Sequence, residues 1–388
     1  MPDLELQIIR SPSELSALAG EWNDLAIRCP GYFQSQTFQW VETAWETIGR
    51  PRGYELNCLT LRSRGRLVAV WPLVISRDRG LRTIHPLGFE GEDYCAPLVE
   101  PGDEADSRVT LLWQTAARSA DLAVLRRMRA DSLLAGKVKA GSYWSATDGA
   151  APAPYVTRAD YQDWAAYHAT ISSQLRSQIR RRRRKLAKKG QVFLGRESPA
   201  GCAALIDWML EQKKRWLIRS NLTNDWTDLT DCRDFLVALA AREDATGGVA
   251  LFVLKVDGVP TAAYLISVDR RRVEYYLSAY DPEWSPYSPG AILIEYLLQW
   301  AFERDLDFDF RIGGQAYKYK WAKESCDTVN WHIAIGKRGI PAVARLRAAL
   351  FMNQVRRKLA LGRFLPPGWR GRTKTIPFRQ ASSTVRPS

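Results

Sequence analysis

Residues Tyr275–Trp321 read YYLSAYDPEWSPYSPGAILIEYLLQWAFERDLDFDFRIGGQAYKYKW, and they are the most informative part of the 388-residue chain. The pattern predicts a strand, a tight turn, an amphipathic helix, a second strand and a Tyr-Lys segment, in that order. Where a strand enters a helix through a tight turn, free backbone N–H groups and the positive end of the helix dipole converge. The stretch therefore predicts a place that can hold a phosphate group without a basic side chain.

The turn itself has the residue types that such a site needs. Ser288 is a natural N-cap and Pro289 a natural first helical residue. Gly290 has no side chain, so a ligand can approach its backbone closely. The alternative interpretation is that Ser-Pro-Gly only begins a helix.

The remainder of the chain predicts a mixed α/β protein. Residues 4–10 have the pattern of a strand, and Ser11–Glu14 with Pro12 forms a capping box that opens a helix to about Arg28. Further helices are predicted at 37–47, 105–118, 161–169, 173–189, 199–217 and 229–242, and further strands at 55–75, 81–86, 121–126, 247–269, 273–280, 306–310 and 328–336.

Two predicted hairpins share the spacing L-x-x-x-G-x-x-x-A, one in each half of the chain. The matching residues are Leu61, Gly65 and Ala69 in the first hairpin and Leu254, Gly258 and Ala262 in the second. Together with the length, this repeat favours two similar domains in tandem, although hairpins in general favour Gly in the turn. The stretch GSYWSATDGAAPAP, rich in small residues and Pro, predicts the boundary near 145–160.

We therefore expect domains at 1–155 and 156–340, each a mixed and mostly antiparallel sheet flanked by helices. Residues 341–388 form a third region. Its first part predicts an amphipathic helix with Val343, Leu346, Leu350, Phe351 and Val355 on one face. The polar, basic end of the chain is predicted to be disordered.

The six cysteines are scattered, without a C-x-x-C pair, which is typical of reduced thiols in a cytosolic protein. The N-terminal sequence lacks the apolar region of a signal peptide, and no run approaches 18 apolar residues. The three histidines have no metal spacing, which argues against a catalytic triad or a zinc site. Neither G-x-x-x-x-G-K-[ST] nor G-x-G-x-x-G occurs, so a nucleotide-dependent enzyme is not indicated.

The net charge of +14 is concentrated in two regions. Residues 337–388 contain 13 Lys and Arg without any Asp or Glu, and residues 176–189 contain nine more without an acid. The rest of the chain is therefore net acidic. The basic run at 180–185 indicates either an anionic acceptor, bound for example by Arg180, or a solvated helix face. The C-terminal helix could contact anionic lipid through Arg356, Arg357 and Lys358, or bind a partner protein.

The chain resembles the GNAT-superfamily acetyltransferases of the CelD and BioF2-like groups of cellulose biosynthesis, which are related to the Fem aminoacyl transferases. The resemblance covers roughly residues 5–340 as an ordered series of short motifs. The motifs are the Arg-rich segment 173–192, EQKKRW at 211–216, GEDYCAPL at 91–98, and the residues Tyr276, Ala279, Tyr280, Asp281, Ser288, Pro289, Gly290, Leu293, Asp309, Phe310, Gly313, Tyr317, Lys318 and Trp321. Members of the group often have an acidic pair where this chain has Gly314-Gln315.

The resemblance implies tandem GNAT-like domains and acyl transfer from coenzyme A, with acetyl-CoA as the expected donor and no metal. The strand before the turn would bind the pantetheine arm, and the turn would bind the diphosphate. The residues predicted to bind this cofactor are Tyr276, Leu277, Ala279, Ser288, Pro289, Gly290 and Ala291.

Acyl transfer needs a base, donors for the oxyanion and an acid for the departing thiolate. Asp309, Tyr280, Tyr317 and Lys318 are the predicted catalytic residues, with Asp281 as a further candidate. Asp309 alternates with Phe308 and Phe310, so its side chain is expected on the opposite face from both rings. The alternatives are a cap or salt bridge, for example to Arg311, for Asp309 and a surface position for Lys318.

A carbohydrate or cell-envelope precursor is the expected acceptor, bound by Asp93, Tyr94, Arg180, Arg215 and Trp216. Two other hypotheses remain open at this point. One is a Fem-like transferase that uses aminoacyl-tRNA, and the other is a non-catalytic protein that binds nucleic acid or a membrane surface. The expected location is the cytoplasm, with possible peripheral association at the inner membrane.

Overall fold

A computed structural model describes residues 4–88, 94–220, 230–244 and 247–361. The strands are β1 Leu4–Ile9, β2 Glu55–Leu56, β3 Cys58–Ser63, β4 Arg66–Trp71, β5 Leu73–Asp78, β6 Leu81–Pro86, β7 Leu98–Val99, β8 Leu122–Arg129, β9 Trp144–Val156, β10 Val192–Arg196, β11 Glu243–Asp244, β12 Gly247–Val256, β13 Val259–Val268, β14 Arg272–Tyr280, β15 Asp307–Asp309 and β16 Glu324–Ala334. The helices are α1 Pro12–Ala17, α2 Ala19–Arg28, α3 Phe38–Ala44, α4 Ala105–Ala116, α5 Leu133–Ala140, α6 Trp164–Thr170, α7 Ser173–Leu186, α8 Cys202–Arg219, α9 Thr230–Ala240, α10 Pro289–Phe302 and α11 Ile340–Leu361.

Most of these elements follow from local sequence signals. Ser11 and Glu14 form the predicted capping box at the start of α1, with Pro12 at the first helical position. The predicted helix to Arg28 is divided at Leu18, which caps α1 and precedes α2. The mixed α/β class is confirmed, with large, mostly antiparallel sheets flanked by helices.

The two hairpins with the shared spacing have the same register. Leu61 pairs with Ala69 in the β3–β4 hairpin, and Leu254 pairs with Ala262 in the β12–β13 hairpin. Each hairpin shifts its register one residue after that leucine, and each turn contains two residues with positive φ, the second of them glycine. The repeat read from the sequence therefore corresponds to a repeated structural unit, one in each half of the chain.

A single sheet passes through both halves in the order β10-β12-β13-β14-β15-β9-β16-β8-β6-β5-β2, while β1, β3, β4 and β7 form a second sheet. Strand β16, from the second half, lies between β8 and β9. The domain limits at 155 and 340 stay a prediction, because the continuous sheet does not separate there.

The predicted boundary near 145–160 falls largely on the 13-residue strand β9, which spans Trp144–Val156. The carbonyls of Pro152 and Pro154 accept hydrogen bonds from Gly313 and Phe310. Within a strand, the N–H and C=O groups of one residue point toward the same neighbouring strand. The N–H groups that the two prolines lack would therefore point toward residues 310–313, where β9 has few hydrogen-bond partners, and not toward β16.

The two halves share one hydrophobic core. Trp40 of α3 is buried, with its ring 5.2 Å from Phe235 of α9 and 5.0 Å from Tyr276 of β14, both in edge-on geometry. Helices α8 and α9 pack on this face of the second-half strands, and α7 and α10 pack on the opposite face. A shared core of this kind fixes the position of one half relative to the other.

Candidate active site

Strand β14 separates from its neighbour β15 in the middle of the sheet. The two strands pair only where Arg272–Glu274 lies beside Asp307–Asp309. Beyond Glu274, β14 pairs with β13, and the register shift between Leu265 and Ile266 produces a bulge at Tyr276. In the described part of the chain no strand covers the other edge of residues 276–280. This edge therefore presents backbone donors and acceptors to an extended ligand.

The side chains of the residues predicted to bind the cofactor along β14 face the core. Tyr276, Leu277 and Ala279 are all buried in the core shared by the two halves. Only their backbone groups lie at the open edge. Any contact that these residues make with a cofactor is therefore through N–H and C=O groups.

The start of α10 differs from the predicted N-cap. Ser288 has a left-handed backbone, with φ of 48°, and its side chain makes no capping hydrogen bond. The residues before it, Pro282–Tyr287, form a short 3₁₀ helix capped by the Asp281 carboxylate. Because this turn already directs the chain, Ser288 closes the 3₁₀ helix instead of capping α10 with its hydroxyl.

The first amides of α10 are only partly available to a ligand. Ala291 and Ile292 both donate to the Ser288 carbonyl, and Pro289 has no N–H. The Gly290 N–H and the Ser288 hydroxyl are the donors left at this helix start. Gly290 is required by its surroundings, because an added Cβ would lie 2.9 Å from the Tyr264 hydroxyl, which donates to the Gly290 carbonyl.

A cluster of hydroxyl groups lies between β14 and α10. Burial raises the pKa of Tyr317, while hydrogen bonds from Tyr275 and Ser278 oppose that rise. Burial also raises the pKa of Tyr264 and Tyr275. Tyr317 therefore stays protonated at neutral pH and can act as a proton donor.

Asp309 connects the two halves of the molecule at the point where β14 and β15 separate. The Tyr94 hydroxyl lies 3.2 and 3.3 Å from its two carboxylate oxygens, and Arg129 Nη1 lies 3.6 Å from Oδ2. The backbone N–H of Arg311 donates to Oδ1 at 2.6 Å. Asp309 is only 4% exposed, and its side chain points away from the core that contains Phe308 and Phe310. The salt bridge to an arginine that was considered for Asp309 is made with Arg129.

A second buried ion pair lies beside the first. Arg311 Nη1 lies 2.6 Å from Glu274 Oε2, and the other oxygen of Glu274 accepts the backbone N–H of Gln34 at 2.7 Å. Both side chains are almost fully buried. This pair also joins the first half of the chain to β14, next to the strand separation.

The electrostatic surroundings favour charge on Arg129 and not on Tyr94. Burial raises the pKa of Tyr94 well above its ordinary value, and the nearby Asp309 carboxylate raises it further. Burial opposes the charge on Arg129, but the hydrogen bond to Asp131 and the nearby Tyr94 and Asp309 shift its pKa upward overall. The cluster is therefore a neutral phenol between a carboxylate and permanent cations.

Lys318, predicted as catalytic, is a buried residue with a different environment. Its ammonium group donates to the carbonyls of Phe310, Arg311 and Ile312 at 2.8, 3.2 and 2.8 Å. An ammonium group has three N–H donors, so these contacts use its full capacity. The alternative that Lys318 is a surface residue is wrong. Its ammonium group is buried and binds the backbone of the segment that follows β15.

The basic helix α7 lies beside the start of α10. Arg183 Nη2 lies 3.0 Å from Glu295 Oε2, and Glu295 is in the second turn of α10. Leu175, Ile179 and Leu186 are buried, which leaves Arg180 and Arg184 exposed. Exposed cations are thus presented close to the helix start that was predicted to bind phosphate.

The residues predicted to bind the acceptor are not brought together. Tyr94 is buried against Asp309, while Arg180 is on α7 and Arg215 and Trp216 are exposed on α8, on the opposite face of the sheet. Arg215 pairs with Glu211, and Lys213 lies over the Trp216 ring. Asp93 lies outside the described residues. Tyr280, another predicted catalytic residue, is 42% exposed at the end of β14.

Three residues of the site were not predicted as site residues, namely Arg129, Glu274 and Gln34. Glu274 could have been found, because it is a lone acid in the apolar strand VEYYL. Arg129 and Gln34 belong to the first half and carry no comparable local signal.

Residues 173–320 match the family described as "Acetyltransferase (GNAT) domain". Among solved structures, FemX superimposes with a TM-score of 0.58 at 13% identity, covering 84% of this chain and 96% of FemX. The C-terminal domain of a putative lysylphosphatidylglycerol synthetase from Agrobacterium fabrum gives a TM-score of 0.52 at 14% identity, covering 86% of this chain and 95% of that domain. The sequence has no significant match among curated proteins.

Residues 173–320 are thus a GNAT acetyltransferase domain, which indicates an enzyme. The similarity to FemX and to the second structure is a similarity of fold over most of the chain. Within the described residues no group of His, Cys, Asp and Glu could hold a metal ion. No helix in the same residues is long and apolar enough to cross a membrane.

Proposed function

We propose that this protein transfers an acyl group, in the simplest case acetyl, from coenzyme A to an amine or hydroxyl. The observation that carries the proposal is the separation of β14 from β15 directly before the start of α10. The open edge and the helix start follow each other in the sequence, as the two binding elements for one extended thioester with a phosphorylated end would. The GNAT match over 173–320 includes both elements.

In this proposal the pantetheine arm bonds to the backbone of residues 276–280, as an added strand would. The diphosphate lies at the Gly290 N–H and the Ser288 hydroxyl, where the helix dipole is positive. Two donors are few for a diphosphate, so the exposed cations of α7 supply further charge. Arg180 is the residue that we assign to this role, in place of binding an anionic acceptor.

Tyr317 is the proposed general acid. The acceptor nitrogen or oxygen attacks the thioester carbonyl, the C–S bond breaks, and the departing thiolate takes the phenolic proton of Tyr317. The acceptor loses one proton to a base. Tyr317 suits the acid role because its phenol is protonated at neutral pH and because its oxygen already accepts hydrogen bonds, which leaves its own proton to donate.

Asp309 is proposed to position the site and not to remove the proton. Its carboxylate already accepts hydrogen bonds from Tyr94 and the Arg311 amide and faces Arg129. These contacts already occupy both oxygens, so the carboxylate is not free to approach the acceptor. Lys318 has a structural role in the same proposal, because its three donors are used.

The proposed acceptor is a carbohydrate or cell-envelope precursor, and the resemblance to the CelD and BioF2-like groups supports this choice. We place the reaction in the cytoplasm. All six cysteines lie among the described residues and form no disulfide, which is usual in a reducing compartment.

Aminoacyl transfer is the second candidate. It is favoured by the fold shared with a putative lysylphosphatidylglycerol synthetase, whose name indicates a product that carries an amino acid, and with FemX. The exposed cations of α7 would suit a polyanionic donor such as aminoacyl-tRNA.

Thermal unfolding of the full chain separates the two donors. Acetyl-CoA should raise the midpoint in a concentration-dependent way, because a ligand that binds only the folded state stabilises it by mass action. Stabilisation by aminoacyl-tRNA with no response to acetyl-CoA would favour the second candidate. If neither donor changed the midpoint of unfolding, the result would contradict the proposed donor site.

A further inference from the structure

The C-terminal helix α11 has two apolar stripes, and only one of them faces the protein. Val343, Leu346 and Leu350 pack with Leu122 and Ala334 in a small core against β8, β9 and β16. Phe351 and Val355 were also predicted on this face, and that prediction is wrong, because neither belongs to this core and the Phe351 side chain is 63% exposed. The physical reason is that Phe351 is 100° around the helix from Leu350, so it belongs to another stripe.

The second stripe, which we call the outer stripe, consists of Ile340, Ala344, Ala348, Phe351 and Val355. Spacings of three and four place these residues along one helix face, over a length of roughly 22 Å at 1.5 Å per residue. Met352 borders the stripe and is 49% exposed, and Ile340 is 41% exposed. An exposed apolar strip of this length on one helix indicates a surface that another molecule covers.

Cations border the outer stripe. Arg345 and Arg356 are exposed, lie on the Met352 side, and form no ion pair within the described residues. On the other side, Arg347 donates to the Ser145 carbonyl and lies 5.1 Å from the centroid of the Trp144 ring, which is itself 37% exposed. From residue 337 to the end, the sequence has 13 Lys and Arg and no acid.

We propose that the outer stripe of α11 docks on an anionic lipid bilayer, with the helix lying in the plane of the surface. Apolar side chains along one face with cations on its flanks are what an interfacial helix needs. An exposed tryptophan next to the stripe fits the same boundary between lipid and water.

Charge complementarity favours lipid over a second copy of this chain. A symmetric dimer through the outer stripe would bring Arg345 and Arg356 close to the same residues of the other copy. The segment contains no acid that could offset this repulsion. An anionic bilayer supplies the missing negative charge and an apolar layer together.

The experiment is co-sedimentation of the full-length protein with two sets of vesicles. One contains phosphatidylcholine alone, and the other is an equal mixture of phosphatidylcholine and phosphatidylglycerol. The protein should bind the mixed vesicles, should bind the neutral vesicles at least tenfold more weakly, and should be released by salt.

Two pairs of substitutions assign the binding to α11. Arg345→Gln with Arg356→Gln should weaken binding about 30-fold, because each lost cation contributes roughly a fivefold change. Phe351→Ser with Met352→Ser should weaken it by about tenfold or more, since both side chains are exposed and their loss leaves the core intact. Arg118→Gln with Lys139→Gln is the matched control, because both cations are exposed in the first half of the chain. It should change binding less than about twofold.

Three outcomes would overturn the proposal. One is vesicle binding that both α11 pairs leave unchanged. Another is vesicle binding that is lost on Arg180→Gln with Arg184→Gln instead, which would assign it to α7. The last is a dimer, measured by light scattering, that Phe351→Ser with Met352→Ser dissociates while no vesicle binding is seen. Acetyl-CoA affinity, measured on the two α11 variants, should not change, so this proposal and the proposed enzymatic function can fail independently.

Discussion

Arg129 and Asp309 face each other across the two halves of the protein, with Nη1 3.6 Å from Oδ2, at the point where β14 leaves β15. Both side chains are largely buried, and Tyr94 lies against the same carboxylate. Residues of the first half of the chain thus stabilise the strand separation that forms the proposed donor site. Residues 173–320, which match the GNAT domain, therefore depend on residues before them to hold Asp309 in place.

Removing one member of this pair should destabilise the protein. We expect Arg129→Met to lower the free energy of unfolding by about 2–4 kcal/mol, because Asp309 would remain buried without its cation. Asp309→Asn should cost about 1–3 kcal/mol, since the amide oxygen can still accept from Tyr94. Urea denaturation of both single variants and the double variant gives the coupling energy. Strictly additive losses would contradict the direct interaction.

Lys318 should matter for stability more than its neighbour Lys320. Lys318→Met leaves three carbonyls without a donor and should cost about 2–4 kcal/mol. Lys320 is exposed, so Lys320→Met should stay within about 0.5 kcal/mol of wild type. Denaturant unfolding measures both. If Lys318→Met retained full stability but lost turnover, Lys318 would be a catalytic residue after all.

Tyr317 should affect the chemical step. Tyr317→Phe removes the proposed proton donor and should lower kcat by about a hundredfold or more, with little change in KM for the acyl donor. Tyr319 is exposed two residues later, and Tyr319→Phe serves as the control that retains wild-type kcat. A Tyr317→Phe variant with normal kcat would exclude this tyrosine as the acid.

Asp269 should make stability depend on pH. Burial raises the pKa of its carboxyl to about 6, although the amides of Arg271 and Arg272 oppose the shift. The folded state therefore holds this proton more tightly than the unfolded chain. Its stabilising contribution is complete below about pH 4 and is lost as the pH rises through about 6.

Asp269→Asn tests this dependence, because the amide oxygen still accepts from both backbone N–H groups. At pH 7.5 the variant should be about 2–3 kcal/mol more stable than wild type, and near pH 4 the two should be alike. Asp257→Asn, at an exposed turn that also binds a backbone amide, is the control and should show no such gain. Parallel stability curves for wild type and Asp269→Asn would contradict the raised pKa.

Much of the fold could be read from the sequence where the signal is local. The capping box at Ser11, the Asp257-Gly258 turn and the start of α10 at Pro289 all depend on residues within a few positions of each other. Strand β9 could not be recognised in this way. Its small residues and prolines resemble a linker, and only the neighbouring strands β15 and β16 make it a strand.

The residues of the site likewise differ in whether a local sequence signal identifies them. Asp309, Tyr317 and Gly290 lie in the informative stretch and were named as candidates, although their individual roles stay predictions. Arg129 was missed because it reaches Asp309 only through the tertiary fold. Phe351 was assigned to the wrong face because α11 has two apolar stripes. The helical periodicity identifies both stripes, but it does not show which of them packs against the rest of the protein.

The most direct test of the proposed donor site is the affinity for acetyl-CoA after a charge is placed at the start of α10. Ala291 is partly buried in the first turn, next to Gly290, and its amide already donates to the Ser288 carbonyl. Ala291→Glu adds a negative charge beside the proposed diphosphate position, and Ala291→Gln adds nearly the same volume without charge.

Calorimetric titration of both variants with acetyl-CoA decides between the outcomes. We predict that Ala291→Glu binds at least tenfold more weakly than wild type, while Ala291→Gln stays within about threefold. Equal affinity of the glutamate variant and wild type would contradict a phosphate bound at this helix start.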